Sequence, residues 1–354
     1  MAASPVRVTA IAILLGMIPM SESRTVMADQ PAATAGSGMA CVIAGTALVP
    51  KDQGIWSAAT GGTKVATFTG ALAPLKAANF PADPSAQKVQ VNAGGGFRVE
   101  GFTDARTIPV WTSRDVPVIA DHVWLSGGRS MKVIGAAPNQ IRVELPARGA
   151  LSAPVQTFVP CDALSLGRTT QPLFETPGNA RGYVAQRGQL ELYGAPNGSV
   201  VYTLNISGEG NALVLWGTET RGNFIHVVSR FDLFVDAWVK RTDVKALPRG
   251  EMMDQLATAE TVQNPPALAL QNYQRVMQAP RNVTIRAARG DNQNPIGEVE
   301  QGAEIYVLDT ILGWASVLPK ALHVMPPDER SFWVKASELG IVPPTPPAPT
   351  PPKK

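Results

Sequence analysis

The chain has 354 residues, 45% of them apolar and 17% charged, with a formal net charge of +3. That balance excludes a wholly disordered or highly charged chain, and without a long Lys/Arg run it gives no footprint for nucleic acid. Gly (32) and Pro (31) are plentiful and aromatics are 6%, which predicts turns and short strands rather than long helices.

Residues 1–28 have the layout of an export signal. Arg7 gives a positive start, and Val8 to Met20 is an apolar core too short to span a bilayer comfortably. Val26-Met27-Ala28 offers a small-x-small cleavage site before Asp29. An uncleaved anchor or a buried helix is the alternative. Cleavage removes Arg7, Glu22 and Arg24 and so lowers the charge by one. No Cys directly follows the apolar core, which argues against a lipid anchor there. No later segment is long and apolar enough to cross a membrane, so the expected location is periplasmic or extracellular. Residues 29–40 are small and polar, a flexible start.

Two cysteines, Cys41 and Cys161, lie in the expected exported part. An even count in an oxidising compartment favours a disulfide over two separate buried thiols. Such a bond closes a loop of about 120 residues, worth about 4–5 kcal/mol in the chain-entropy model.

From residue 42 onward one pattern recurs. A first copy, 42–105, runs from Ile55-Trp56-Ser57 through Lys88 to Val91 and on to Gly101-Phe102-Thr103. A second, 106–167, runs from Pro109-Val110-Trp111 through Gln140 to Val143 and on to Phe158-Val159-Pro160. Residues 168–181 read as a linker. A third copy, 182–247, opens with Leu190 to Tyr193, turns at Gly194 to Gly198, and continues at Val200 to Leu204. Leu213 to Trp216, Phe224 to Val228 and Ala237 to Lys240 complete it. Residues 248–280 form a longer linker in which Glu251 to Ala259 could make a short helix stopped by Pro265-Pro266. The fourth copy, 281–340, has strands at Val283 to Arg286, Glu304 to Leu308, Trp314 to Val317 and Phe332 to Lys335. Residues 341–354 are a Pro-rich tail, extended and polyproline-like, either a solvated spacer or a docking segment. Each copy spans about 60 residues, a size at which one small barrel just holds a core.

The last copy resembles a bacterial SH3-like domain, a small five-stranded barrel. The residues that carry the resemblance are Val283-Thr284-Ile285-Arg286, Gly297-Glu298-Val299-Glu300-Gln301-Gly302, Gly313-Trp314 with Val317, and Trp333-Val334 with Leu339. The third copy matches less closely, through Trp238-Val239, and the first two enter through the internal repeat. The expected fold is therefore all-β: about four tandem small SH3-like β-barrels between an export signal and a Pro-rich tail. The resemblance implies cell-wall peptide or peptidoglycan as the first ligand, with envelope proteins as alternative partners.

Signatures of catalysis are missing. The three histidines, His122, His226 and His323, fall in different copies, and neither HExxH nor a Cys-His metal spacing occurs. There is no GxSxG elbow, and Cys161 follows Val159-Pro160 at a strand end, an unpromising place for a nucleophile. The glycines at 94–96 and 194–198 are turn glycines, not a phosphate cradle. No enzyme, no metal and no cofactor is expected, although a carboxylate pair brought together by folding stays open.

Strand alternation locates a candidate groove. Ala315 and Val317, with Ile225 and Val227, should face the core. Trp314 and Ser316, with Phe224 and His226, should face out. At the same place the first copy carries Lys88 and Gln90 and the second Gln140 and Arg142, so a ligand groove is expected in copies three and four only. Tyr306 and Tyr193 are candidate rim residues. Trp314 and Phe224 could instead pack against a neighbour. Recurrence of Trp333, Trp238, Phe102 and Phe158 before the closing strand end points to packing.

Overall fold

Alternating side chains and frequent turns give strands throughout the computed structural model, which describes residues 41–80, 88–207, 213–248, 269–327 and 330–341. Those residues belong to one compact body, Ser37–Lys354. The protein is all-β, with only short 3₁₀ turns among the described residues. The export signal, the flexible start, the 251–259 helix and the Pro-rich tail beyond 341 lie outside the described residues.

The same order of six strands occurs four times. Repeat one has Ile43–Leu48, Gly54–Trp56, Lys64–Phe68, Leu72–Ala78, Lys88–Ala93 and Phe97–Asp104. Repeat two has Val110–Thr112, Val116–Ile119, Val123–Leu125, Ser130–Ala137, Gln140–Leu145 and Val155–Pro160. Repeat three has Arg181–Ala185, Gln189–Tyr193, Val200–Asn205, Val214–Arg221, Phe224–Arg230 and Leu233–Lys240. Repeat four has Arg275–Gln278, Val283–Arg286, Pro295–Val299, Glu304–Ile311, Trp314–Pro319 and Phe332–Lys335.

In every repeat the first strand pairs with the fourth, the second with the third, the fourth with the fifth and the fifth with the sixth. The second strand also meets the sixth in repeats one, three and four. A 3₁₀ turn follows each sixth strand. In repeats one, three and four the ladder path runs first, fourth, fifth, sixth, second, third, and it does not return on itself; in repeat two the second and third strands join the sheet of repeat three instead. Strand Arg275–Gln278 falls inside the stretch expected as linker. Its four residues are too few to show a period, and its ladder to Glu304–Ile311 reveals it.

The repeats are joined by two seams of one design. The third strand of repeat two pairs with the start of the sixth strand of repeat three, Val123 to Val235 and Leu125 to Leu233. The third strand of repeat four pairs with the start of the sixth strand of repeat one, Val299 to Phe97 and Gly297 to Val99. Each seam is closed a second time. The connection before the sixth strand of repeat four pairs Val324 with Phe68 and Met325 with Thr67. The matching connection of repeat two bridges Leu151 to Ile206, and the Ser152 N–H donates to the Asn205 carbonyl at 3.1 Å. Repeats one and four thus share a 13-stranded sheet.

Charge locks the seam between repeats two and three. Arg129 and Asp232, only 5% and 9% exposed, form an ion pair at 3.2 Å, and Arg148 reaches the same Asp232 oxygen at 3.3 Å. Arg230 donates two hydrogen bonds to Asp115, at 2.8 and 2.7 Å. Burial alone would raise the Asp115 carboxyl. The Arg230 hydrogen bonds, the Gly127 N–H and the Arg230 charge outweigh it and hold the group below its ordinary value. Repeats one and two are tied by the Cys41–Cys161 disulfide, with Cα atoms 5.8 Å apart. Among the described residues no helix is long and apolar enough to cross a membrane.

Candidate functional site

Paired residues on antiparallel strands share a face, so the ladders define an outer face for each repeat. In repeat three, Phe224 pairs with Lys240, His226 with Trp238, and Trp238 in turn with Tyr193. These five side chains occupy one side of the sheet. Ile225, Val227, Ala237 and Val239 occupy the other and are buried in the main core.

Tyr193, Phe224 and Trp238 form an apolar cluster separate from that core. The Tyr193 and Phe224 rings meet edge to face at 5.2 Å, and the His226 ring lies 5.0 Å from Trp238. A polar rim surrounds them. The Arg221 guanidinium sits 5.3 Å from the Trp238 ring and the Lys240 ammonium 5.0 Å from Tyr193. Lys240 pairs with Glu191 at 3.2 Å, and the Tyr193 hydroxyl donates to the same carboxylate. The Tyr193 hydrogen bond, and then Lys240, hold the Glu191 carboxyl below its ordinary value. His226 spans the rim, with Nε2 2.7 Å from Asp236 and Nδ1 2.8 Å from the Thr218 hydroxyl.

Repeat four has the same frame with other residues. Trp314 pairs with Lys335, Ser316 with Trp333, and Trp333 with Arg286. Phe224, His226, Trp238, Lys240 and Tyr193 of repeat three therefore correspond to Trp314, Ser316, Trp333, Lys335 and Arg286. Trp314 and Phe224 are 8% and 6% exposed, so they are covered rather than bare. Arg286 and Lys335 lie over Trp314, and the Tyr193 ring packs on Phe224. Repeat one shows the same device, the Lys88 ammonium lying 4.2 Å from the Trp56 ring.

The six expected groove residues thus divide. Phe224, His226 and Tyr193 come together on one face. Trp314 and Ser316 share the equivalent face of repeat four. Tyr306 lies elsewhere, pairing with Val276 and Leu318 and meeting the Tyr273 ring at 4.7 Å. The strand is long enough to put it at the far end from Trp314, which pairs with Ile311. Sequence reasoning placed Trp238 and Trp333 in packing roles and did not single out Lys240, Lys335, Arg286 or Glu191. The repeated W-V-K triplet at 238–240 and 333–335 was the available signal.

Comparison of the chain with protein-family models, curated proteins and solved structures finds no match.

Proposed function

We propose that the protein is an exported, non-catalytic binding protein of the cell envelope, a tandem array of small SH3-like barrels that takes cell-wall peptide on the outer faces of repeats three and four. The observation that carries this reading is the aromatic cluster of Tyr193, Phe224 and Trp238, set apart from the main core and rimmed by Arg221, His226, Asp236 and Lys240. Tyr193, Phe224 and Trp238 are 5%, 6% and 8% exposed, so the rings stiffen the platform from beneath and the polar groups at its border are what a short extended peptide would meet. The resemblance of the last repeat to bacterial SH3-like domains supports the ligand class. The disulfide is compatible with an oxidising compartment and with export.

A second reading, a scaffold within an envelope complex, is favoured by the two seams. They commit strand edges of all four repeats to internal contacts and leave repeats one and two as spacers.

Co-sedimentation of residues 29–354 with purified peptidoglycan sacculi separates the two. Binding should survive near-physiological salt. Arg221→Ala with His226→Ala should weaken it about tenfold, because the rim groups that orient the peptide are lost. Absence of binding, or binding that salt abolishes, would favour the scaffold.

A further inference from the structure

Repeats three and four differ in how they neutralise their cations, and the difference has a chemical consequence. In repeat three, Lys240 is held by Glu191 and lies over Tyr193, both on the adjacent strand. In repeat four the corresponding strand carries Thr284 and Arg286. The acid is lost and a second cation is gained.

Both cations flank one ring. The Arg286 guanidinium carbon is 5.4 Å from the Trp314 ring centre and the Lys335 ammonium 6.0 Å. The Arg286 Nε donates to the Gln293 carbonyl at 3.2 Å, but its Nη1 is buried and has no hydrogen-bond partner. A buried guanidinium N–H without an acceptor is uncommon and calls for one. Among the described residues the acid that Lys335 pairs with lies at the surface: its ammonium is 2.5 Å from Asp291, whose side chain is 73% exposed. Asp291 sits in the loop between strands Val283–Arg286 and Pro295–Val299, beside Gly290. Nothing on the strands replaces it, so a carboxylate from outside can take its position. The adjoining hairpin tip exposes Ile311 and Leu312, apolar surface for a small side chain.

We propose that Arg286, Lys335 and Trp314 form a binding site for the free carboxylate of a short peptide with a small apolar end, with Asp291 as its intramolecular placeholder. This deepens the peptide-binding reading above and rests on it for the compartment only. The carboxylate accepts from the Arg286 and Lys335 donors beside the covered indole, while the apolar end lies against Ile311 and Leu312. Charge-assisted donors read the ionised group, so an amide in its place should be rejected.

The test is calorimetric titration of the full protein with N-acetyl-alanyl-alanine and, separately, with its C-terminal amide. The acid should bind at least tenfold more tightly than the amide. Asp291→Asn, at an exposed loop position, should tighten the acid about threefold by removing the competitor, the scale of an exposed ion pair. Arg286→Gln and Lys335→Gln should each abolish the preference for the acid, and unchanged thermal unfolding of Lys335→Gln shows that the fold is intact. Equal affinity for acid and amide, no binding of either, or weaker binding by Asp291→Asn would each overturn the site. If sacculi fail to bind but the dipeptide acid binds as described, the wall-ligand reading falls and the carboxylate site stands. Sacculus binding that is indifferent to Arg286 and Lys335 has the opposite meaning.

Discussion

Leu312 adopts a φ of +50° and is 84% exposed, a conformation and an exposure that both disfavour a leucine. It precedes Gly313, with φ +79°, in the two-residue turn between strands Glu304–Ile311 and Trp314–Pro319. The left-handed pair is the type I′ geometry that Asn-Gly fits at least strain. Leu312→Asn should therefore raise unfolding stability by about 1 kcal/mol, read as a higher denaturant midpoint at unchanged slope. A lower midpoint would mean that the leucine has a packing partner. Alternation in sequence separates Trp314 and Ser316 from the core side of this hairpin, but both are buried, at 8% and 4% exposure, because neighbouring side chains cover them. It gave no access to Arg286 or Lys335, since a period of two shows which way a side chain points but not which distant strand lies beside it.

At the scale of elements, the lengths of the sixth strands record the docking pattern. Those of repeats one and three, Phe97–Asp104 and Leu233–Lys240, begin early and receive a partner strand on their first residues. Those of repeats two and four, Val155–Pro160 and Phe332–Lys335, follow longer connections that reach across to the neighbour. Gly297 shows how close the seam between repeats one and four is. A Cβ there would stand 2.0 Å from the Arg98 carbonyl oxygen, a backbone atom that cannot swing aside. Gly297→Ala should cost about 2–4 kcal/mol and speed hydrogen exchange at Phe97 to Val99. Wild-type exchange at those amides would show that the seam adapts without separating. Most strands of repeat four were legible because its turns carry Gly290, Gly302 and Gly313 and its strands alternate. Neither seam was legible, because a ladder between residues about 110 positions apart in one seam and about 200 in the other leaves no periodic trace in either segment.

For the molecule as a whole the order of contacts is nested: repeat two docks on three, repeat four returns to one, and the disulfide ties one to two. The two seams should respond differently to acid. The seam between repeats two and three rests on Asp115, held below its ordinary value by Arg230 against the cost of burial. A depressed carboxylate contributes stability above its unfolded pKa and loses it only as pH falls through the lower folded value, so this seam persists under mild acidity. The seam between repeats one and four contains His323. The Thr69 N–H and hydroxyl donate to its backbone carbonyl, while its ring Nδ1 is buried and has no partner. Burial pushes the His323 imidazole below the usual 6.5. The neutral ring thus belongs to the closed state, and separation of the seam takes up a proton. Stability from His323 is complete above pH 6.5 and declines as pH falls from there toward the lower folded value. The slope is at most about 1.4 kcal/mol per pH unit, less in proportion to the ring's contact with water. Between pH 7 and 5.5, hydrogen exchange should rise at Thr69 and Phe97 to Val99 while Gly127 and Leu233 to Val235 keep their protection. His323→Gln should flatten that difference. Parallel pH profiles for the variant and the wild type would show that the seam does not sense this proton.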